Sequence, residues 1–149
     1  MKTTILLAVS LVLCLAGPAS AQEPAAADSA AIRQAALDYI EGYYEGDAGR
    51  MERALHPQLV KRIVRAQDGE ARISEMTAQQ LIEGTAAGWG ARVPAEVRRT
   101  DVEILDIFRN VAAVRVDAHD WIDYMQLARF DGEWKIVNVL WELRERNDG

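Results

Sequence analysis

Apolar residues recur along this chain in two rhythms, helical up to about residue 90 and alternating from Val102 to Leu143. In the first part, Asp28-Ser29 offers a helix cap, and Ile32, Ala36, Tyr39, Ile40 and Tyr43 fall on one stripe of a helix running to about Glu45. Gly46-Asp47 ends it. A second helix starts at Ala48 with Met51, Ala54 and Leu55 on its apolar side. It ends near Leu55 or somewhat beyond His56-Pro57, because Leu59–Val64 also suits a strand. After a turn at Asp68-Gly69 comes a third helix, where Thr77 and Gln80 have capping-box spacing before Leu81-Ile82. Gly84, Gly88 and Gly90 break it around Trp89.

Turn signals at Arg109-Asn110, near Asp120-Trp121 and at Asp131-Gly132 divide the alternating part into four strands. Helices followed by an antiparallel meander predict an α+β fold. Asp131-Gly132 is the strongest signal, since both positions tolerate positive φ, and it sets the register of the last hairpin. Pairing Phe130 with Glu133 puts Leu127 opposite Ile136, Met125 opposite Asn138 and Asp123 opposite Leu140. An even-length turn near Asp120 adds Ala112, Val114, Val116 and Ala118 to the same face. The helices should cover this mostly apolar face, which is interrupted by Asp123, Asn138 and Arg129. The other face holds Arg115, Asp117, His119, Tyr124, Gln126 and Lys135, but also Val137, Val139 and Trp141.

The two ends alter the picture. Lys2, the apolar run Ile5–Ala16 and Ala19-Ser20-Ala21 have the layout of a secretory signal over residues 1–21, with an apolar run too short to span a bilayer. Cys14 lies inside that run, followed by Leu15-Ala16-Gly17, which does not suit a lipid-anchored cysteine. The remainder has no thiol, hence no disulfide, thiolate metal site or cysteine nucleophile. Residues 22–27, rich in Ala and Pro, read as a disordered lead-in, and residues 28–149 as one domain. The expected location is periplasmic or secreted, with no membrane attachment of the mature form. The formal net charge of −6, more negative once Lys2 is removed, argues against a nucleic-acid partner. The basic cluster Lys61, Arg62 and Arg65 reads as a solvated helix face.

Several segments together resemble a known family. Tyr39 to Tyr44-Glu45-Gly46-Asp47 and Met51 to Leu55-His56-Pro57 resemble the first helices of the putative lumazine-binding family, in the nuclear transport factor two-like (SnoaL-like) superfamily. Val114–Val116, Trp121, Asp123-Tyr124 and Asp131 through Asn138 resemble its closing hairpin. The resemblance implies a cone-shaped curved sheet wrapped by three helices, with a pocket in the cone and dimerisation through the sheet. It does not choose a reaction, because that superfamily holds isomerases, cyclases, dehydratases and binding modules alike.

The expected ligand-binding residues are Tyr39, Tyr43, Trp89, Asp123, Met125 and Asn138. A carboxylate such as Asp123 on an apolar face is poorly solvated, which favours proton uptake and makes it the candidate general base. Tyr39 and Tyr43 either donate hydrogen bonds into the cone, with Tyr43 the candidate catalytic donor, or are plain core. Asn138 either holds a ligand carbonyl or satisfies backbone. Trp89 either closes the cone mouth or plugs the core. His56 and His119 are isolated, which argues against a metal, and His56 reads as a helix-end residue. No glycine pattern or serine setting matches a phosphate loop or a nucleophile elbow.

The leading expectation is therefore a domain that binds a small organic molecule, aromatic or heterocyclic, without a cofactor. The alternatives are an isomerase, cyclase or dehydratase using Asp123, and an interaction module acting through the outer sheet face, which a homodimer would bury.

Overall fold

The computed structural model describes residues 22–145, so the expected signal segment, with Cys14, lies outside the described residues. Helix α1 spans Gln22–Glu45 and helix α2 Ala48–Ala54. Strands β1 (Leu55–Gln67) and β2 (Glu70–Thr77) precede helix α3 (Ala78–Ala86), and strands β3 (Asp101–Phe108), β4 (Val111–Asp117), β5 (Trp121–Phe130) and β6 (Glu133–Leu143) complete the fold. One six-stranded sheet has the order β2-β1-β6-β5-β4-β3 and is antiparallel except where β1 runs parallel to β6.

Helix α1 begins at Gln22, so it takes in residues expected to form an unstructured lead-in. Alanines 25–27 are strong helix formers, and Asp28 anchors this end rather than capping it. Its carboxylate accepts hydrogen bonds from Arg129 at 2.6 Å and from the Trp134 indole at 3.2 Å. Gly46, with φ of 72°, ends the helix, and the Asp47 side chain then caps α2 by accepting from the Arg50 backbone N–H. The Thr77–Gln80 capping box starts α3 as expected.

The sheet is larger than the four-stranded meander expected. Residues 55–77 form a hairpin whose turn, Asp68 (φ 54°) and Gly69 (φ 80°), uses the same left-handed pair as Asp131 (φ 49°) and Gly132 (φ 88°). Lys61, Arg62 and Arg65 are therefore strand residues, not a helix face. His56 also lies on β1, its ring stacked on Phe130 at 4.3 Å between centroids.

Register holds from the turn back to Leu127, opposite Ile136, and then slips. Val137 is an extra residue on β6, so Gln126 pairs with Asn138, Met125 with Val139 and Asp123 with Trp141. One inserted residue moves every later side chain of β6 to the opposite face. Val139 and Trp141 thus turn inward, while Asn138 and Leu140, expected inside, turn outward and are exposed. The strands on the far side of β5 keep the expected faces, since the two-residue turn at His119-Asp120 is of even length. Ala112, Val114, Val116, Ala118, Met125, Leu127, Ile136 and Val139 make the inner face, covered by Ile32, Ala36, Tyr39 and Ile40 of α1. This is the main apolar core of the domain.

Candidate functional site

Charged groups are rarely buried without a partner, and here two are buried together in the core. Asp123 on β5 is 0% exposed and Lys61 on β1 is 5% exposed. Lys61 alternates with Leu59 and Ile63, which also face inward, so its position follows from the pleat of β1. Its ammonium donates to Oδ1 of Asp123 at 2.7 Å and to the Tyr39 hydroxyl oxygen at 2.6 Å. The other carboxylate oxygen accepts from the Trp121 indole N–H at 2.7 Å. Each oxygen of Asp123 therefore accepts one hydrogen bond.

Aromatic rings surround the ammonium. Its nitrogen lies 4.8 Å from the centre of the Trp141 ring, 5.2 Å from Trp121 and 5.3 Å from Tyr39, within cation–π range of all three. Tyr43 meets Trp121 edge to face at 5.5 Å. Above this floor lies a cavity of about 80 Å³ lined by Tyr39, Tyr43, Lys61, Met76, Leu81, Trp89, Trp121 and Trp141. An ammonium carries three donors, and Asp123 and Tyr39 take two. The third N–H of Lys61 has no protein acceptor among the described residues.

The electrostatics follow from burial. Desolvation pulls the Lys61 ammonium below its ordinary pKa, outweighing the Asp123 carboxylate, which acts the other way. Burial first, then the same carboxylate, pushes the Tyr39 phenol well above its usual value, and burial also raises Tyr43. These phenols stay protonated at neutral pH.

Trp89 forms the outer wall. It is 43% exposed and separates the cavity from a surface depression of about 430 Å³ that includes Glu75, Met76, Gln80 and Glu83. Its ring rests on Gly84, where a Cβ would come within 2.2 Å of it, and the adjoining Gly90 lies so close to Tyr43 that a Cβ would meet that ring at 2.3 Å. Glycine at both positions lets the 84–90 segment lie against α1.

Of the residues expected to bind, Tyr39, Tyr43 and Trp89 line the cavity and Asp123 sits beneath it, held by Lys61 and Trp121. Met125 is inner-face core and does not line the cavity. Asn138 lies on the opposite, exposed face beside Gln126 and Arg62, as a result of the bulge at Val137. Lys61, Trp121 and Trp141 were not expected here. The alternation Leu59, Lys61, Ile63 was the available signal for the first. Among the described residues, no group of three or more His, Cys, Asp or Glu is placed to hold a metal ion, and no helix is long and apolar enough to cross a membrane.

A curved sheet closed by helices over such a cavity is a nuclear transport factor two-like α+β domain. It is similar to a nuclear transport factor two-like protein of unknown function from Shewanella baltica, at 20% identity and a TM-score of 0.64 over 80% of this chain and 96% of that one. A protein of the same type with a cystatin-like fold, from Novosphingobium aromaticivorans, aligns at 12% identity and a TM-score of 0.64 over 87% and 90% of the two chains. A hexachlorocyclohexane dehydrochlorinase from Novosphingobium barchaimii aligns at 12% identity and a TM-score of 0.55 over 84% and 92%. At these identities the likeness is one of fold alone. No curated protein matches the sequence. Residues 27–142 match the family described as putative lumazine-binding, and the chain belongs to that family.

Proposed function

We propose that this domain binds a small, flat, partly aromatic or heterocyclic molecule between Tyr39, Tyr43, Trp89, Trp121 and Trp141. The observation that carries this reading is a ring of aromatic side chains around a buried ammonium with one donor unspent. Aromatic faces supply area to a flat ligand, and the single N–H fixes its orientation through an acceptor atom. An apolar cavity of about 150 Å³ holds one benzene. The cavity here, about 80 Å³, is smaller, so a ring enters by displacing Trp89 toward the adjoining depression.

The geometry favours binding over general-base catalysis by Asp123. A base must lie within hydrogen-bond reach of the substrate proton, and Asp123 does not line the cavity but lies beneath it, held by Lys61 and Trp121. Lumazine is a suitable probe, given the family. Saturable quenching of tryptophan fluorescence is expected, weakened in Trp141→Ala, and native mass spectrometry of protein from its own host should show a retained small molecule. No retained molecule and no saturable quenching by flat heterocycles would remove this reading.

We further propose that residues 1–21 direct export, so that the domain works in the periplasm or outside the cell. N-terminal sequencing of the mature protein should begin at Gln22. The outer sheet face supports a homodimer: Leu105, Phe108, Val111, Tyr124 and Leu140 are exposed there, beside shallow grooves of about 360 and 450 Å³.

A further inference from the structure

We infer that Lys61 is a covalent capture site for small carbonyl compounds, its amine forming a reversible imine with an aldehyde or ketone that enters the aromatic cavity. This rests on the proposed binding reading and adds the ligand's reactive group. Lys61 is at once almost fully buried and part of the cavity lining, and the rings around its nitrogen, Tyr39, Trp121 and Trp141, line the same cavity, so a small molecule there packs beside the amine. A lysine in such apolar surroundings is more readily deprotonated to the nucleophilic amine, and its lowered pKa agrees. The alternative of an anionic ligand gains little, because Asp123 already neutralises the ammonium. A neutral carbonyl suits a site with no net charge.

The neighbouring groups complete the step. The ammonium passes a proton to Oδ1 of Asp123, 2.7 Å away, and the freed electron pair forms the C–N bond while the carbonyl π pair moves to oxygen. That oxygen takes a proton from the Tyr39 hydroxyl, which lines the cavity 2.6 Å from Nζ, and the proton held by Asp123 replaces it on the phenol. A second proton then leaves nitrogen for Asp123 and reaches the hydroxyl by the same Tyr39 relay, and the hydroxyl departs as water. The sum is ammonium plus carbonyl giving iminium plus water, with no oxidant or reductant. The iminium keeps Asp123 as its counter-ion, so no buried charge is left unpaired.

The sequence supplies its own control, since its only lysines are Lys2, Lys61 and Lys135. Lys135 has an ordinary near-surface setting, donating to the Arg53 carbonyl and paired with Glu133. The full chain is incubated at neutral pH with propanal or benzaldehyde and cyanoborohydride, which reduces the imine to a stable amine, and the adducts are located by peptide mapping. Lys61 should be labelled about tenfold faster than Lys135 or more, as expected of an activated amine. Lys61→Arg, which keeps the charge beside Asp123, should lose the adduct while the protein remains folded by circular dichroism. Labelling of Lys61 no faster than that of Lys135, or none at all, overturns the inference. Lumazine quenching measured on the same sample separates the two ideas: quenching without a Lys61 adduct removes the imine and leaves the binding site, whereas loss of both removes both.

Discussion

Replacing Asp123 with Asn tests whether the Lys61–Asp123 pair organises the core. The shape is nearly unchanged, but the amide has one acceptor oxygen where the carboxylate has two. Whichever way it turns, its NH₂ faces a donor, either the Lys61 ammonium or the Trp121 indole, each now 2.7 Å from an oxygen. The Lys61 ammonium, 5% exposed, also loses its counter-ion. Breaking a buried pair from one side costs about 3–5 kcal/mol, a large part of the roughly 5–15 kcal/mol available to a domain. With a urea dependence of about 1–3 kcal/mol per molar, the unfolding midpoint should fall by about 2 M. Replacing both partners, Lys61→Met with Asp123→Leu, removes both charges and should restore most of that loss. Urea unfolding of the parent, Lys61→Met, Asp123→Leu and the double variant, followed by circular dichroism, gives the four corners of that cycle. A loss below about 1 kcal/mol in Asp123→Asn, or a double variant as unstable as the sum of its singles, would refute the reasoning.

Stability should depend on alkaline pH in two opposed ways. The folded-state pKa of Lys61 lies below its ordinary 10.5, so between the two values the unfolded chain binds more protons and stability rises with pH. Tyr39 has a folded pKa well above 10.0, so stability falls once pH passes about 10 and only the unfolded chain loses that proton. Urea midpoints against pH should therefore climb and then drop, with the climb absent in Lys61→Arg, whose guanidinium does not titrate there. Gly84→Ala should push the Trp89 ring off its seat, costing about 1–3 kcal/mol by overpacking and shifting tryptophan emission to longer wavelength; unchanged emission would mean the ring was never held there. Leu140→Asp, at a position 57% exposed on the outer face, should turn the proposed dimer into a monomer by analytical ultracentrifugation without a change in fold.

The sequence carried the meander because Asp131-Gly132 and the alternation of β4 and β5 both have local causes. What it concealed was the slip at Val137, since the inserted residue is an ordinary β-former with no glycine to mark it. That slip removed Asn138 from the site and brought in Trp141. The hairpin of β1 and β2 bore a visible signal at Asp68-Gly69, but residues 64–75 around the turn are exposed on both faces and rich in charge, so the alternation of Leu59, Lys61 and Ile63 stops short of it. Lys61 was the hardest residue to place. A lysine is solvated by default, and only the carboxylate of Asp123, distant in sequence, makes its burial tolerable. Tyr39, Tyr43, Trp89 and Asp123 were legible because an aromatic stripe, a glycine-flanked tryptophan and a carboxylate among alternating apolar residues are local patterns.

The parallel contact between β1 and β6 has a consequence for the order of events in folding. Tyr39, Lys61, Asp123 and Trp141 come from four separate elements, and the ion pair joins residues 62 positions apart. A parallel pairing cannot nucleate from a tight turn, so docking β1 beside β6 has to close a long loop, a cost that places this contact late in folding. Until then both charges remain hydrated, and the late loss of that water is a barrier local helix formation cannot lower. A chain cut before β6 has no partial site, because it lacks Trp141 and the strand against which Lys61 is aligned. Ligand binding would therefore report complete folding, acting as a reporter of the finished molecule rather than of any part of it.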